Sequence, residues 1–178
     1  VLIIDPGNQE ATTFRVAQRE AQATELVARA RAMLQAGRPL SGLQELEKLP
    51  AQGLPAEVVE AAAALERELV AKAAEIAGQL LARAKQEGGR AGFATLTDAL
   101  ALAQAAVQRD TSHGALHQQI VQLRGELAAE EVKALNVEAE LALGREDFDA
   151  AATSLAKVQE LQPSASAAGR LAYARAMA

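Results

Sequence analysis

A chain of 178 residues, half of them hydrophobic, is long enough to bury a continuous core. Only 2% of it is aromatic, with no Trp and no Cys; this leaves little bulky wall for a ligand pocket and excludes disulfides, thiolate zinc sites and Cys nucleophiles. The net charge of −5 is mixed along the chain, without the basic face and interleaved aromatics that nucleic acid would require, and the best apolar run, Leu96 to Val107, is too short to span a bilayer.

Ala, Leu, Glu, Gln and Arg, all strong helix formers, fill nearly the whole sequence, so the expected class is all-α. The opening Val1-Leu2-Ile3-Ile4 is read as the last turn of a helix whose body lies upstream, stopped at Pro6, with Asn8 capping the next helix. A short strand or a frayed tail is the other reading. The start at Val1, without Met, suggests a piece of a larger protein. Gln9 to Ala36 is helical throughout and Gly37 ends it as a C-terminal cap; Pro39 then starts a short helix through Leu49. After the loop Pro50 to Pro55, a long helix is expected from Ala56 to about Glu87, stopped at Gly88-Gly89. A shorter one runs from about Ala91 to Arg109. Asp110-Thr111-Ser112 offers a cap for a third long helix, which runs to Leu143 and closes at Gly144. Asp147 caps the segment Phe148 to Leu161, Pro163 ends it, and Ser164 or Ser166 caps a final helix that reaches Ala178.

Long and short helices thus alternate, and a Gly-Arg pair marks each long-to-short transition: Gly37-Arg38, Gly89-Arg90 and Gly144-Arg145. The separations are 52 residues from Gly37 to Gly89 and 55 from Gly89 to Gly144. Large apolar residues follow the last two pairs at matching offsets, as Phe93, Leu96, Leu100 and as Phe148, Ala151, Leu155, all expected to be buried. A fixed period of this size signals antiparallel helix hairpins stacked as a curved solenoid, each unit burying its apolar face against its neighbours. The repeats would span 9–53, 54–110 and 111–163, with 1–8 ending an upstream repeat and 164–178 forming a cut-off helix.

The last hairpin resembles a tetratricopeptide repeat: Leu135 and Ala139 stand at the family's large and small positions, Phe148, Ala151, Leu155 and Val158 continue the series, and Pro163 closes it. Leu80, Ala84, Phe93, Leu96, Leu100 and Ala103 follow the same register without the closing proline. The period exceeds the family's, Glu138 occupies a position it prefers apolar, and the first hairpin has lost a residue and most of the register. The resemblance implies a protein-binding or assembly module and brings no catalytic residues. It also places Lys133, Asn136 and Glu140 on the face lining the family's concave groove, where an Asn and a Lys would hold a peptide backbone or carboxylate. A polar helix surface is the plainer reading of the same residues.

No other constellation converges. His113 and His117 have the i, i+4 spacing of a metal pair, but the Gly114-Ala115-Leu116 between them lacks a zincin glutamate, and Asp110 is the one nearby third ligand; two surface histidines are the expectation, with no metal and no cofactor. No serine sits in a nucleophile elbow, no lysine follows a phosphate-cradling loop, and the carboxylates lie on solvated faces with basic partners four away, as Glu68 with Lys72. The chain is therefore expected to be no enzyme but a scaffold binding a protein or peptide on its concave face, with a structural spacer or self-associating rod as the alternative. The Ala-rich, GC-biased composition suggests a bacterial source; a cell-envelope (periplasmic) and a cytoplasmic location are both open.

Overall fold

Helix formers at nearly every position, broken by a few glycines and prolines, produce seven α-helices and no strand among the residues that the computed structural model describes, 9–178, with side chains from residue 13. They are α1 (Gln9–Gln35), α2 (Pro39–Leu46), α3 (Ala56–Glu87), α4 (Gly89–Arg109), α5 (Gly114–Gly144), α6 (Phe148–Leu161) and α7 (Ala165–Met177), with a single 3-10 turn at Thr111–His113 before α5. The expected alternation of lengths holds: 27, 8, 32, 21, 31, 14 and 13 residues. The reading of residues 1–8 as the end of an upstream repeat lies outside the described residues. By Cα packing the chain divides into two compact units, one made of the residues up to Gly78 with Ala101–His117, the other of Gln79–Leu100 with Gln118–Ala178. The division runs through α3, α4 and α5 and does not follow the three expected repeats.

In the first unit α1 packs on α2, and the core is built from Ala and Leu: Ala23, Ala30, Leu43, Leu65, Leu69, Ala73 and Ala77 are buried. Gly42 shows why small residues are needed here. A methyl group built on it would lie 3.1 Å from the Ala30 carbonyl oxygen and 2.6 Å from Leu69 Cδ2, so the α2 backbone rests on the backbone of α1 and on the Leu69 side chain of α3. Arg109, near the end of α4, ties three helices together: its guanidinium binds Glu47 beyond α2 and, at 3.2 Å, Glu66 on α3, and also donates to the Ala105 carbonyl at 3.3 Å. Lys72, expected to pair with Glu68, turns instead to Glu75 at 2.8 Å; both partners lie on the same side of the helix surface, one turn away in either direction.

The second unit packs α6 on α7 and repeats the pattern with larger side chains. Ala139, Ala151, Leu155, Leu171 and Ala174 form one buried cluster, and Val132, Leu135, Val158 and Ala167 another. Gly92 does for α4 what Gly42 does for α2: a methyl there would stand 2.6 Å from the Ala84 carbonyl oxygen and 3.1 Å from Leu127 Cδ1.

The expected burial is only half met. Leu96, Ala151 and Leu155 are inaccessible to solvent, whereas Phe93, Leu100 and Phe148 are half-buried. The Arg124 guanidinium lies 4.8 Å from the Phe93 centroid, and Tyr173 meets Phe148 edge-on at 6.5 Å between centroids, contacts that suit half-buried rings. Small residues recur at one spacing in the two outer helix pairs: Ala30 and Gly42 are twelve residues apart, as are Ala139 and Ala151. In the α3–α4 pair the close approach is between Ala84 and Gly92, one helical turn earlier than the Gly-Arg alignment requires.

The helix stops differ in the same way. At the end of α1, Gly37 takes φ 70° while its N–H donates to Leu34 and the Arg38 N–H reaches back to Met33. At the end of α5 the equivalent pair is Glu146 to Leu143 and Asp147 to Ala142, with the non-glycine Glu146 at φ 61°. Both are Schellman closures. Gly144 is simply the last residue of α5. Between α3 and α4 a single residue, Gly88, suffices, its carbonyl accepting the Gly92 N–H. The expected caps Asp147 and Ser164 are in place, accepting from the Ala150 and Ala167 N–H groups at 3.1 Å each. The short helix from Pro39 ends at Leu46 and not at Leu49; the Glu47 N–H still donates to Leu43, and those of Lys48 and Leu49 donate to Glu45 and Leu46 as i→i+3 turns.

Candidate functional site

The three residues singled out on α5 do not form an open set. Asn136 is half-buried; its amide nitrogen donates to the Val132 carbonyl at 2.9 Å and its oxygen accepts from Arg170 Nη1 at 2.8 Å. The same guanidinium, rooted in α7, lies 3.7 Å from Glu140. Asn136 and Glu140 are thus committed to holding α7 against α5. Lys133 is exposed, with no ion-pair partner among the described residues. Arg170 escaped the sequence reading. No local signal marks it, since Arg170 lies 34 residues beyond Asn136 on a separate helix.

The structure sets other residues around Lys133. Val137 and Leu141 are more than half exposed, as are Tyr173 and Met177 on α7. Lys133, Val137 and Leu141 recur every four residues and therefore share one face of α5. That face has a counterpart. The buried residues of α7, Ala167, Leu171 and Ala174, stand 34 residues after Lys133, Val137 and Glu140. A register that α7 uses to pack against helices is left open to solvent in α5.

Outside this face the first unit holds, besides a shallow depression along α1, two cavities of about 350 Å³ each. One is apolar, between the end of α2, the loop after it and the start of α3, with Leu46, Leu49, Pro50, Leu54 and Val59 in its wall. The other is charged and lined by Glu66, Arg67, Arg109, Asp110 and His113. Here Ser112, through its side chain first and its backbone N–H second, holds the Asp110 carboxyl below the ordinary value. His113 lies in the 3-10 turn, its Nε2 3.8 Å from Asp110, while His117 belongs to α5. Among the described residues no group of three or more His, Asp or Glu is placed to hold a metal ion, and no helix is long and apolar enough to cross a membrane.

No protein-family model, curated protein or solved structure matches the chain.

Proposed function

We propose that this chain is a non-enzymatic interaction or assembly scaffold of tetratricopeptide-like helix hairpins, and that it takes a polypeptide partner on the Lys133–Val137–Leu141 face of α5. One observation carries the reading: Lys133 and Val137, exposed on α5 beside the exposed Leu141, stand 34 residues before Ala167 and Leu171, which α7 buries. A stripe of that spacing suits the apolar side of a partner helix, with anchors at i, i+3, i+4 and i+7. The spacing of 34 residues between Asn136 and Arg170 and the paired small residues twelve apart support the repeat architecture. Asn136 and Glu140 contribute indirectly, by fixing the position of α7.

The test is a photo-crosslinking residue at Leu141, in the cells that make the protein, compared with the same residue at Gln104, exposed on α4. A partner captured from Leu141 and lost in Val137→Asp and Lys133→Glu variants supports the assignment. Equal recovery by parent and variants excludes this face. Because Asn136→Ala would unseat Arg170, it serves as a fold control, with its helix content and unfolding midpoint measured alongside.

A further inference from the structure

We infer that the first unit carries a second, self-complementary surface, through which two copies of this chain associate by inserting Phe14 of each into the apolar cavity of the other. The starting point is α1. Residues 13–22 are exposed on every side of the helix, and the first buried residue is Ala23. Helical segments of this length are marginal on their own in water, and this one carries Thr13 and Val16, which favour helix weakly. Phe14 is 70% exposed, the most exposed large apolar side chain among the described residues.

The complementary feature lies at the same end of the unit. The Arg19 guanidinium reaches the loop that walls the apolar cavity; a methyl built on Gly53 would stand 4.0 Å from its Nη1. Of the three exposed large apolar side chains in this unit, Phe14 and Val16 precede Arg19 on α1, and Val59 lines the cavity itself. A cavity of about 150 Å³ is enough for a benzene ring, so one of about 350 Å³ has room for a phenyl group with the side chains beside it.

Charge selects a second copy as the occupant. Arg15 and Arg19 follow Phe14 on α1 and, like Glu20 beside Arg19, have no ion-pair partner among the described residues, so the exposed segment 13–22 carries a net positive charge. Around the cavity stand Glu47 and Glu66, which share the single cation Arg109, and on the exposed start of α3 Glu57 and Glu60, which are unpaired among the described residues. A basic, apolar helix therefore faces an acidic, apolar cavity, and both belong to one unit. Two-fold symmetry satisfies both halves at once, since each copy offers the same two elements to the other.

Sedimentation equilibrium of the full chain tests this. A monomer–dimer equilibrium is expected, weakened at least about tenfold by Phe14→Ala, as for an interface anchor. The Arg15→Glu/Arg19→Glu variant and the Glu57→Lys/Glu60→Lys variant should each be monomeric, with helix content unchanged because all four side chains are exposed. Mixed in equal amounts, the two variants should recover a dimer as a heterodimer, an outcome that misfolding cannot produce. A parent chain that stays monomeric at its highest soluble concentration would overturn the proposal and leave the cavity to a foreign side chain. So would a dimer indifferent to these substitutions, or a mixture that stays monomeric. None of these residues lies on α5 or α7, so the result stands apart from the crosslinking test.

Discussion

The α1–α2 turn and the α5–α6 turn are closed by the same two backbone hydrogen bonds, yet they share almost no residues. In the first, Gly37 takes the left-handed position, Arg38 caps α2 without a side-chain bond and Pro39 opens the helix. In the second, Glu146 takes that position, Asp147 caps α6 through its carboxylate and Phe148 opens it. The small contact residues are Ala30 with Gly42 in one and Ala139 with Ala151 in the other. What the two pairs preserve is a backbone distance and a hydrogen-bond pattern; residue type is free to drift wherever its cost is about 1 kcal/mol or less. The Gly-Arg pairs are therefore imperfect markers. Gly37 is structurally equivalent to Glu146, two residues after the glycine that the sequence aligns with it.

The severest way to probe the equivalence is to empty the core under each turn. Leu43 and Leu155 are both buried on the short helix, and truncating either to Ala should cost about 2–5 kcal/mol. Phe148→Ala, by contrast, removes a half-buried ring with one edge contact and should cost about 1–2 kcal/mol. Urea unfolding of the three variants decides it. If Phe148→Ala exceeded Leu155→Ala, the ring and not the small-residue contact would be organising the hairpin.

Gly42→Ala sharpens the contrast between the two contacts. Ala151 already has a methyl group, while Gly42 has no room for one against Ala30 and Leu69. The substitution should destabilise by about 1–3 kcal/mol through overpacking, and a second change, Leu69→Val, should recover part of the loss by clearing the nearest contact. Gly92→Ala should be less forgiving, because its nearest neighbour is the Ala84 backbone oxygen, which cannot rotate away. The measurement is again the unfolding free energy, with a double-mutant cycle for Gly42 and Leu69.

Exchanging the left-handed residues tests the turns directly. Gly37→Ala should cost about 1 kcal/mol and Glu146→Gly should gain a similar amount, since a Cβ at positive φ is strained. Equal and opposite shifts would establish the two turns as equivalent; a loss on Glu146→Gly would mean that the glutamate side chain holds the turn by a contact of its own.

Much of this architecture was legible in the sequence and some of it was not, for definable reasons. Helix class, order and most ends follow from local chemistry, in which Pro39, Asp147, Ser164 and Gly37 act on their immediate neighbours. The register of the hairpins depends on which small residue touches which backbone, and an Ala-rich chain offers too many candidates; Gly92 was passed over for Leu96 on that account. The site suffered most. Lys133, Asn136 and Glu140 were correctly placed on one helix, but whether a polar side chain is free or engaged depends on what the next helix brings, and α7 brings Arg170.

The smallest expected effect is pH-dependent and compares the two units once more. In the first, the Asp110 carboxyl is held below its ordinary value by Ser112, with His113 adding to the effect. In the second, the Glu87 carboxyl is lowered by the Thr95 hydroxyl first and by Arg83 next. A carboxyl lowered in the folded state contributes stability that is fully present above its unfolded pKa and is lost as pH falls through the folded one. Stability should therefore be flat from neutrality down to about pH 5 and decline below it, as these groups begin to take up protons. Both side chains are solvent-exposed, so each contribution is small, and the variants matter more than the parent's slope. Asp110→Asn keeps a capping oxygen for the Ser112 N–H but cannot titrate, so it should flatten part of the acid-side slope while leaving helix content intact. Glu87→Gln should flatten a separate part, and the double variant should remove the sum, since the two groups lie in different units. A slope unchanged in the double variant would show that neither cap is coupled to folding, and that the loops before α4 and α5 open without loosening the helices they join.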